Sequence, residues 1–124
     1  MSSWPRETIE AIAASDDLHI CAHHPDGSTG TLTWIWSVVV DGRLFVRSYS
    51  GTGGRWYGSA LAQRTGVITA AGGRHEVAFT PVSEEALNDR IDEAYRAKYA
   101  TSAYLGSMIG QRARAATMEL TPRP

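Results

Sequence analysis

The stretch TLTWIWSVVVDGRLFVRSY, Thr31 to Tyr49, decides the fold. Leu32, Trp34, Trp36, Val38 and Val40 alternate with Thr31, Thr33, Ile35, Ser37 and Val39, the period of one long strand with apolar residues on both faces. Asp41-Gly42 follows, and this dipeptide suits the two positive φ angles of a type I′ hairpin turn. The turn sets Val40 opposite Arg43. The facing pairs then run Val38/Phe45, Trp36/Arg47 and Trp34/Tyr49 on one side, and Val39/Leu44, Ser37/Val46 and Ile35/Ser48 on the other. Ile35, Val39, Leu44 and Val46 are compact and branched, as the interior of a small barrel requires. Trp34, Trp36, Arg47 and Tyr49 make a flat aromatic face with one cation in it, suited to a planar ligand or a partner.

Upstream, Leu18 to His24 reads as a strand entering the turn-forming cluster Pro25 to Gly30, and Pro5 to Ala14 as a short helix capped by Ser3, with Ile9, Ile12 and Ala13 on one stripe. That helix reads as a lid or plug. Downstream, Gly51, Thr52, Gly53 and Gly54 break the second strand, and Arg55 to Gln63 resumes with helical spacing until Gly66 stops it. Gly72-Gly73 joins Val67 to Ala71 with Arg74 to Pro81 as a second hairpin. Ser83 is placed to cap the longest helix, whose stripe is Leu87, Ile91, Ala94, Tyr95 and Tyr99 and whose wet face carries Asp89, Asp92 and Glu93. Thr101 to Gln111 is a loop or short helix, and Ala113 to Leu120 a last strand stopped by Pro122. The expected architecture is a single α+β domain over residues 1–124: an N-terminal helix (1–17), a hairpin-rich barrel (18–82), a helical segment (83–111) and a final strand and tail (112–124). The barrel is six-stranded and antiparallel, with flanking helices and with Ile35, Val39, Leu44, Val46, Ile68, Val77, Phe79 and Met118 inside.

Composition bounds the function. The chain has 124 residues, 12 basic and 13 acidic, for a net charge of -1, which argues against the broad basic footprint of nonspecific nucleic-acid binding. Cys21 is the sole cysteine, so neither an internal disulfide nor a cysteine zinc cage forms, and a reducing, cytoplasmic setting is expected. No apolar run reaches the roughly 20 residues of a membrane span. His19, His23, His24 and His75 are natural metal ligands, but strand geometry keeps them apart: residues 19 and 23 are roughly 13 Å distant, and 23 and 24 point to opposite faces. No metal is expected.

The link from strand to helix carries more chemistry. Gly51 to Gly54 leads into a helix N-terminus whose unpaired N–H groups can receive an anion, Arg55 stands at its mouth, and Arg47 and Ser48 precede it. The pattern is neither a Walker loop nor GxGxxG.

The order of these elements, with Val40-Asp41-Gly42-Arg43-Leu44, Val46-Arg47-Ser48-Tyr49, Gly54-Arg55-Trp56-Tyr57 and Ile91 to Tyr99, resembles the split β-barrel flavin-binding superfamily. Within it the chain is similar to deazaflavin-dependent nitroreductases and pyridoxamine-phosphate-oxidase-like proteins, and most of all to a group of small uncharacterised bacterial proteins of that fold. The resemblance implies a cofactor, flavin mononucleotide (FMN) or deazaflavin (F420), at Arg47, Ser48, Tyr49, Gly53, Gly54, Arg55, Trp56 and Tyr57. It implies a substrate pocket at Trp36, Tyr95, Tyr99 and Tyr104, and a homodimer. One departure stands out: the deazaflavin branch carries a basic Gly-Arg-Lys-Ser-Gly-like turn between its first two strands, where this chain has Pro25-Asp26-Gly27-Ser28-Thr29-Gly30 with an acid and no base. The leading expectation is a homodimer that passes hydride or electrons to a small organic acceptor, with no catalytic acid or base assigned. The alternatives are a non-catalytic module for a planar ligand such as haem or a metabolite, and a structural homodimer without cofactor.

Overall fold

The Asp41-Gly42 turn forms as its sequence requires: in the computed structural model, which describes residues 3–123, the two φ angles are 52° and 73°. Strands β3 (Ser37–Val40) and β4 (Arg43–Arg47) pair in the expected register, Val38 with Phe45, Val39 with Leu44 and Ser37 with Val46. The ladder stops there. The run from Thr31 to Val40 is two strands, because the chain breaks at Trp36, and β2 (Thr33–Ile35) pairs instead with β1 (Leu18–Ala22), setting Trp34 against His19 and Ile35 against Leu18. The expected Trp36/Arg47 and Trp34/Tyr49 pairs are therefore not made.

The break raises the strand count from six to seven. With β5 (Thr65–Ala70), β6 (Gly73–Pro81) and β7 (Thr117–Pro122), the antiparallel sheet runs β2-β1-β5-β6-β7-β4-β3. Its two edge strands, β2 and β3, are consecutive in sequence, so the barrel closes through the covalent joint at Trp36 and not through a ladder. Backbone groups at the joint need other partners. Tyr99 Oη accepts the Ser37 N–H at 3.2 Å, and Ser37 O takes the Lys98 ammonium at 2.8 Å and the Tyr99 hydroxyl at 3.3 Å. Lys98 and Tyr99 are the last residue and C-cap of helix α3 (Glu85–Lys98), whose N-cap, Glu84, lies one residue beyond the expected Ser83.

Two cores lie on opposite sides of β4. Leu44 and Val46 face the barrel interior with Ile68, Val77, Phe79 and Met118, while Ile35 and Val39, expected inside, are half-buried against it. Helix α1 (Arg6–Ala13) plugs this core with Ile9 and Ile12; its N-cap is Pro5 and Ser3 plays no capping part. Trp4 joins the plug, its indole N–H donating to Leu120 O at 2.9 Å. On the other side Val38, Val40 and Phe45 are covered by Leu87, Ile91 and Tyr95 of α3 and by Met108 and Ala113. These last two sit on short helices α4 (Leu105–Met108) and α5 (Gln111–Arg114). The helical turn at Ala113 displaces the start of β7 from that residue to Thr117, and the strand ends at Pro122.

Two glycines act differently from their expected roles. The second hairpin turns at Ala71-Gly72 (φ 50° and 79°), leaving Gly73 paired with Ala70. Helix α2 (Arg55–Gln63) ends at Arg64, which takes the left-handed conformation itself, and Gly66 is a ladder residue. A Cβ there would lie 2.3 Å from the Cys21 carbonyl oxygen and 2.7 Å from the Phe79 ring. Gly66→Ala is expected to destabilise the fold by about 1–3 kcal/mol, the usual cost of overpacking, as read from urea unfolding.

Candidate functional site

The break at Trp36 turns β2 away from β4 and opens a pocket of about 600 Å³ between them. One wall is Thr33, Trp34, Ile35 and Trp36; the other is Arg47, Ser48, Tyr49 and Ser50 from the end of β4. Gly54, Arg55 and Trp56, opening α2, form one end, and Tyr104 and Met108 of the α4 region form another. Among the described residues no carboxylate lines it.

Trp36 is held from behind. Tyr99 stacks on its indole at a centroid distance of 3.9 Å and an interplanar angle of 2°, and Tyr95 lies 6.0 Å beyond Tyr99. Tyr95 and Tyr99 thus support the wall and do not line the pocket, whereas Trp36 and Tyr104 do. Burial raises the pKa of both tyrosines and lowers that of Lys98, since each loses hydration of its charged form.

Arg47 corrects the expectation of a cation on an open face. It is buried, because α3 covers this side of the sheet, and its guanidinium spends all its donors internally. Nε donates to Thr117 Oγ1 at 3.0 Å, Nη1 to Asp92 Oδ1 at 2.5 Å and Met108 O at 3.1 Å, and Nη2 to Asn88 O at 3.1 Å and Asn88 Oδ1 at 3.0 Å. Asp92, expected on the wet face, is buried between this group and Arg114, whose Nη1 reaches Asp92 Oδ2 at 2.5 Å and Asp89 Oδ1 at 3.0 Å. Removing one partner from such a buried pair strands the other, at a cost of about 3–5 kcal/mol. Arg47 is therefore a pin that fastens α3 and Met108 to the end of β4, and it has no free N–H for an anion. Asn88 and Asp92 were missed in the sequence; the available signal was their spacing of four on the margin of the apolar stripe of α3.

What faces the pocket with free polar atoms lies at α2. Ser48 is a buried residue of the pocket wall, and a Cβ on Gly54 would lie 2.3 Å from its Oγ. Gly54 is thus the residue that leaves room for this hydroxyl beside the start of α2. That helix has no side-chain cap and no acid in its first turn, so the N–H groups of its first residues are available. Arg55 is exposed and makes no ion pair among the described residues. Of the other residues expected at the cofactor, Tyr49 and Trp56 line the pocket. Tyr57 turns into the barrel core and Gly53 lies in the 3-10 turn Gly51–Gly53, outside the lining. The histidines lie elsewhere: His23 bridges Thr65 Oγ1 at 2.9 Å and Glu76 Oε1 at 3.2 Å on the outside of the sheet.

Residues 8–120 match the family model described as uncharacterized protein conserved in bacteria, DUF2255. The chain belongs to that family. Among curated proteins none matches the sequence. Solved structures similar to this DUF2255 chain over most of both lengths include the conserved hypothetical protein Rv2991 from Mycobacterium tuberculosis, at 14% identity and a TM-score of 0.67, covering 98% of this chain and 81% of that one. An F420 reductase matches at 11% identity and a TM-score of 0.57, covering 93% and 92%. A FAD-binding protein from Mesorhizobium loti matches at 11% and 0.56, covering 98% and 90%. At these identities the likeness is one of fold: the DUF2255 chain shares the split-barrel fold of these proteins. No helix among its described residues is long and apolar enough to cross a membrane.

The Tyr95 hydroxyl is buried without a well-formed hydrogen bond. Tyr95→Phe is expected to leave stability at neutral pH unchanged or up to about 1 kcal/mol higher, since it removes an unpaired polar group. The pH dependence follows from the raised pKa. Below the unfolded value of about 10 the phenol is protonated in both states; above it only the unfolded chain ionises, and wild-type stability falls by up to about 1.4 kcal/mol per pH unit from this group. Urea unfolding at alkaline pH should show a shallower decline for Tyr95→Phe.

Proposed function

We propose that the protein binds a flavin-type cofactor, FMN or a deazaflavin, in the pocket beside Trp36 and passes hydride or electrons to a small organic acceptor. The observation that carries this reading is the Ser48 hydroxyl on the pocket wall, in the space left by Gly54, at a helix N-terminus with Arg55 beside it. Hydroxyl, guanidinium and backbone N–H groups are the donor set that a phosphate takes. The remainder of the lining is aromatic and aliphatic, as a planar ring requires, and the volume is in the range of small-molecule sites. The names of two structural neighbours, an F420 reductase and a FAD-binding protein, point the same way.

The cofactor, when bound, supplies the redox chemistry. The chain supplies binding and orientation. Ser48, Arg55 and the first N–H groups of α2 would hold the phosphate, and Trp36, fixed by its stack on Tyr99, offers a rigid face to the ring. Met108, tied to Arg47 through its carbonyl, keeps water from the inner end of the pocket. We further propose that a second copy of the chain covers the mouth, where Trp34, Tyr49 and Tyr104 are about half exposed or more, an apolar cluster of a kind uncommon on monomers.

Arg55→Ala is expected to weaken binding of FMN by about 1.5–3 kcal/mol, the range for hydrogen bonds to charged groups, and to leave riboflavin affinity and folding stability unchanged. Equal FMN affinity of the variant and wild type, measured by fluorescence titration, would defeat the phosphate role; failure of the wild type to bind any flavin would defeat the reading. Sedimentation equilibrium at micromolar concentration is expected to give twice the 13.5 kDa chain mass, and a monomer there would remove the second copy.

A further inference from the structure

The eleven arginines divide by partner. Arg6, Arg43, Arg47, Arg90, Arg96 and Arg114 meet carboxylates, and Arg64 donates to Leu61 O. Arg55, Arg74, Arg112 and Arg123 make no side-chain hydrogen bond or ion pair among the described residues. Two of these four adjoin one turn. Arg55 follows Gly51–Gly53 by a single residue and lines the pocket. Arg112, on α5, lies over the same turn: a Cβ on Gly51 would come within 2.5 Å of its Cγ. Its guanidinium carbon stands 5.6 Å from the centroid of Tyr49, and Tyr49 is a wall of the pocket. On the same short helix, Arg114 pairs with Asp89 and Asp92, while Arg112 has no such partner among the described residues. A free cation is thus held one aromatic ring outside the pocket, beyond the free cation that lines it.

A terminal monophosphate engages only the inner group. Ser48, Arg55 and the α2 N–H groups supply its donors, and an exposed charge farther out acts chiefly on negative charge placed beside it. The contact with Tyr49 sets Arg112 over the mouth before any ligand arrives, so less side-chain freedom is lost on binding. We infer that Arg112 is the outer anion contact of this site, and that the cofactor carries a second negative group beyond its first phosphate: a flavin or deazaflavin with an anionic tail, in preference to the mononucleotide. This rests on the flavin reading above. The shared chemistry is a second phosphate or a carboxylate, which FAD and the glutamyl tail of F420 supply respectively.

The test is equilibrium binding of FMN, FAD and F420 at low and moderate salt to wild type, Arg112→Gln, Arg112→Lys and the remote control Arg123→Gln, with circular dichroism confirming that each is folded. Wild type is expected to bind FAD or F420 more tightly than FMN, and which one it favours identifies the tail. Arg112→Gln should weaken the favoured tailed ligand about fivefold, the upper range for one exposed ion pair, with FMN unchanged and the salt dependence of tail binding reduced. Arg112→Lys should recover most of the loss, and Arg123→Gln should match wild type. Two results overturn the inference while leaving the flavin reading intact: wild-type preference for FMN, or an Arg112→Gln variant whose ratio of tailed ligand to FMN equals that of wild type. Absence of binding to all three ligands overturns both.

Discussion

The constraint on which the rest depends is that one short run of chain, Thr33 to Val40, serves as both edges of the sheet. β2 and β3 cannot lie in one straight strand and also sit at opposite ends of the strand order, so the chain must bend between them, and it does so at a single residue, Trp36. A ladder cannot pass through the bend, and the backbone there would be left without partners inside the protein, which is costly. The end of α3 meets that need: Tyr99 and Lys98 bind the N–H and C=O of Ser37, and the Tyr99 ring braces the Trp36 indole. Closure of the barrel, the position of α3 and the existence of the pocket are thus one fact seen from three sides.

The opposite wall is fixed by charge. Arg47 lies at the last position of β4, where the sheet gives way to the Gly-rich turn, and its bonds reach α3, β7 and the α4 segment together. A buried guanidinium is tolerated only with every donor used and a carboxylate beside it, and Asp92 and the carbonyls of Asn88 and Met108 provide that. The result separates two arginines that look alike in sequence: Arg47 builds the pocket wall, and Arg55, eight residues on, is left free to act within it.

Much of this was legible in the residues. The Asp41-Gly42 turn gave its register without ambiguity, and the apolar alternation on either side named most of the barrel interior. The stripe of α3 and the extent of α2 were also readable, since caps and periodicity are local signals. What was not legible depends on contacts distant in sequence. Nothing in the alternation of Thr31 to Val40 marks Trp36 as a bend, because both halves keep strand period and the break comes from closing the sheet. Arg47 shares a strand face with Trp34 and Trp36 in a flat drawing, and only the packing of α3 reveals that this face is covered. Ala113 read as strand because the helical turn around it is too short to show a period. Ser48 and Gly54 were chosen for their chemistry, while the reason they belong together, a hydroxyl filling the space of an absent Cβ, is visible only in three dimensions.

The sharing of β4 between two cores bears on how the molecule opens. Leu44 and Val46 belong to the barrel, and Phe45 and Arg47 to the layer under α3, so adjacent residues of one strand anchor separate hydrophobic clusters. Loosening either cluster acts on the strand that supports the other, and a slip of one residue would exchange the two faces and place Arg47 in the barrel. Partial opening, in which one layer melts and leaves the other as a foldon, is thereby coupled to the layer that remains. β4 and β7, each paired on both sides, lie where amide protons exchange most slowly. The pocket wall at Arg47 is anchored in that interior of the sheet, and its aromatic rim at Trp34, Tyr49 and Tyr104 is the exposed part.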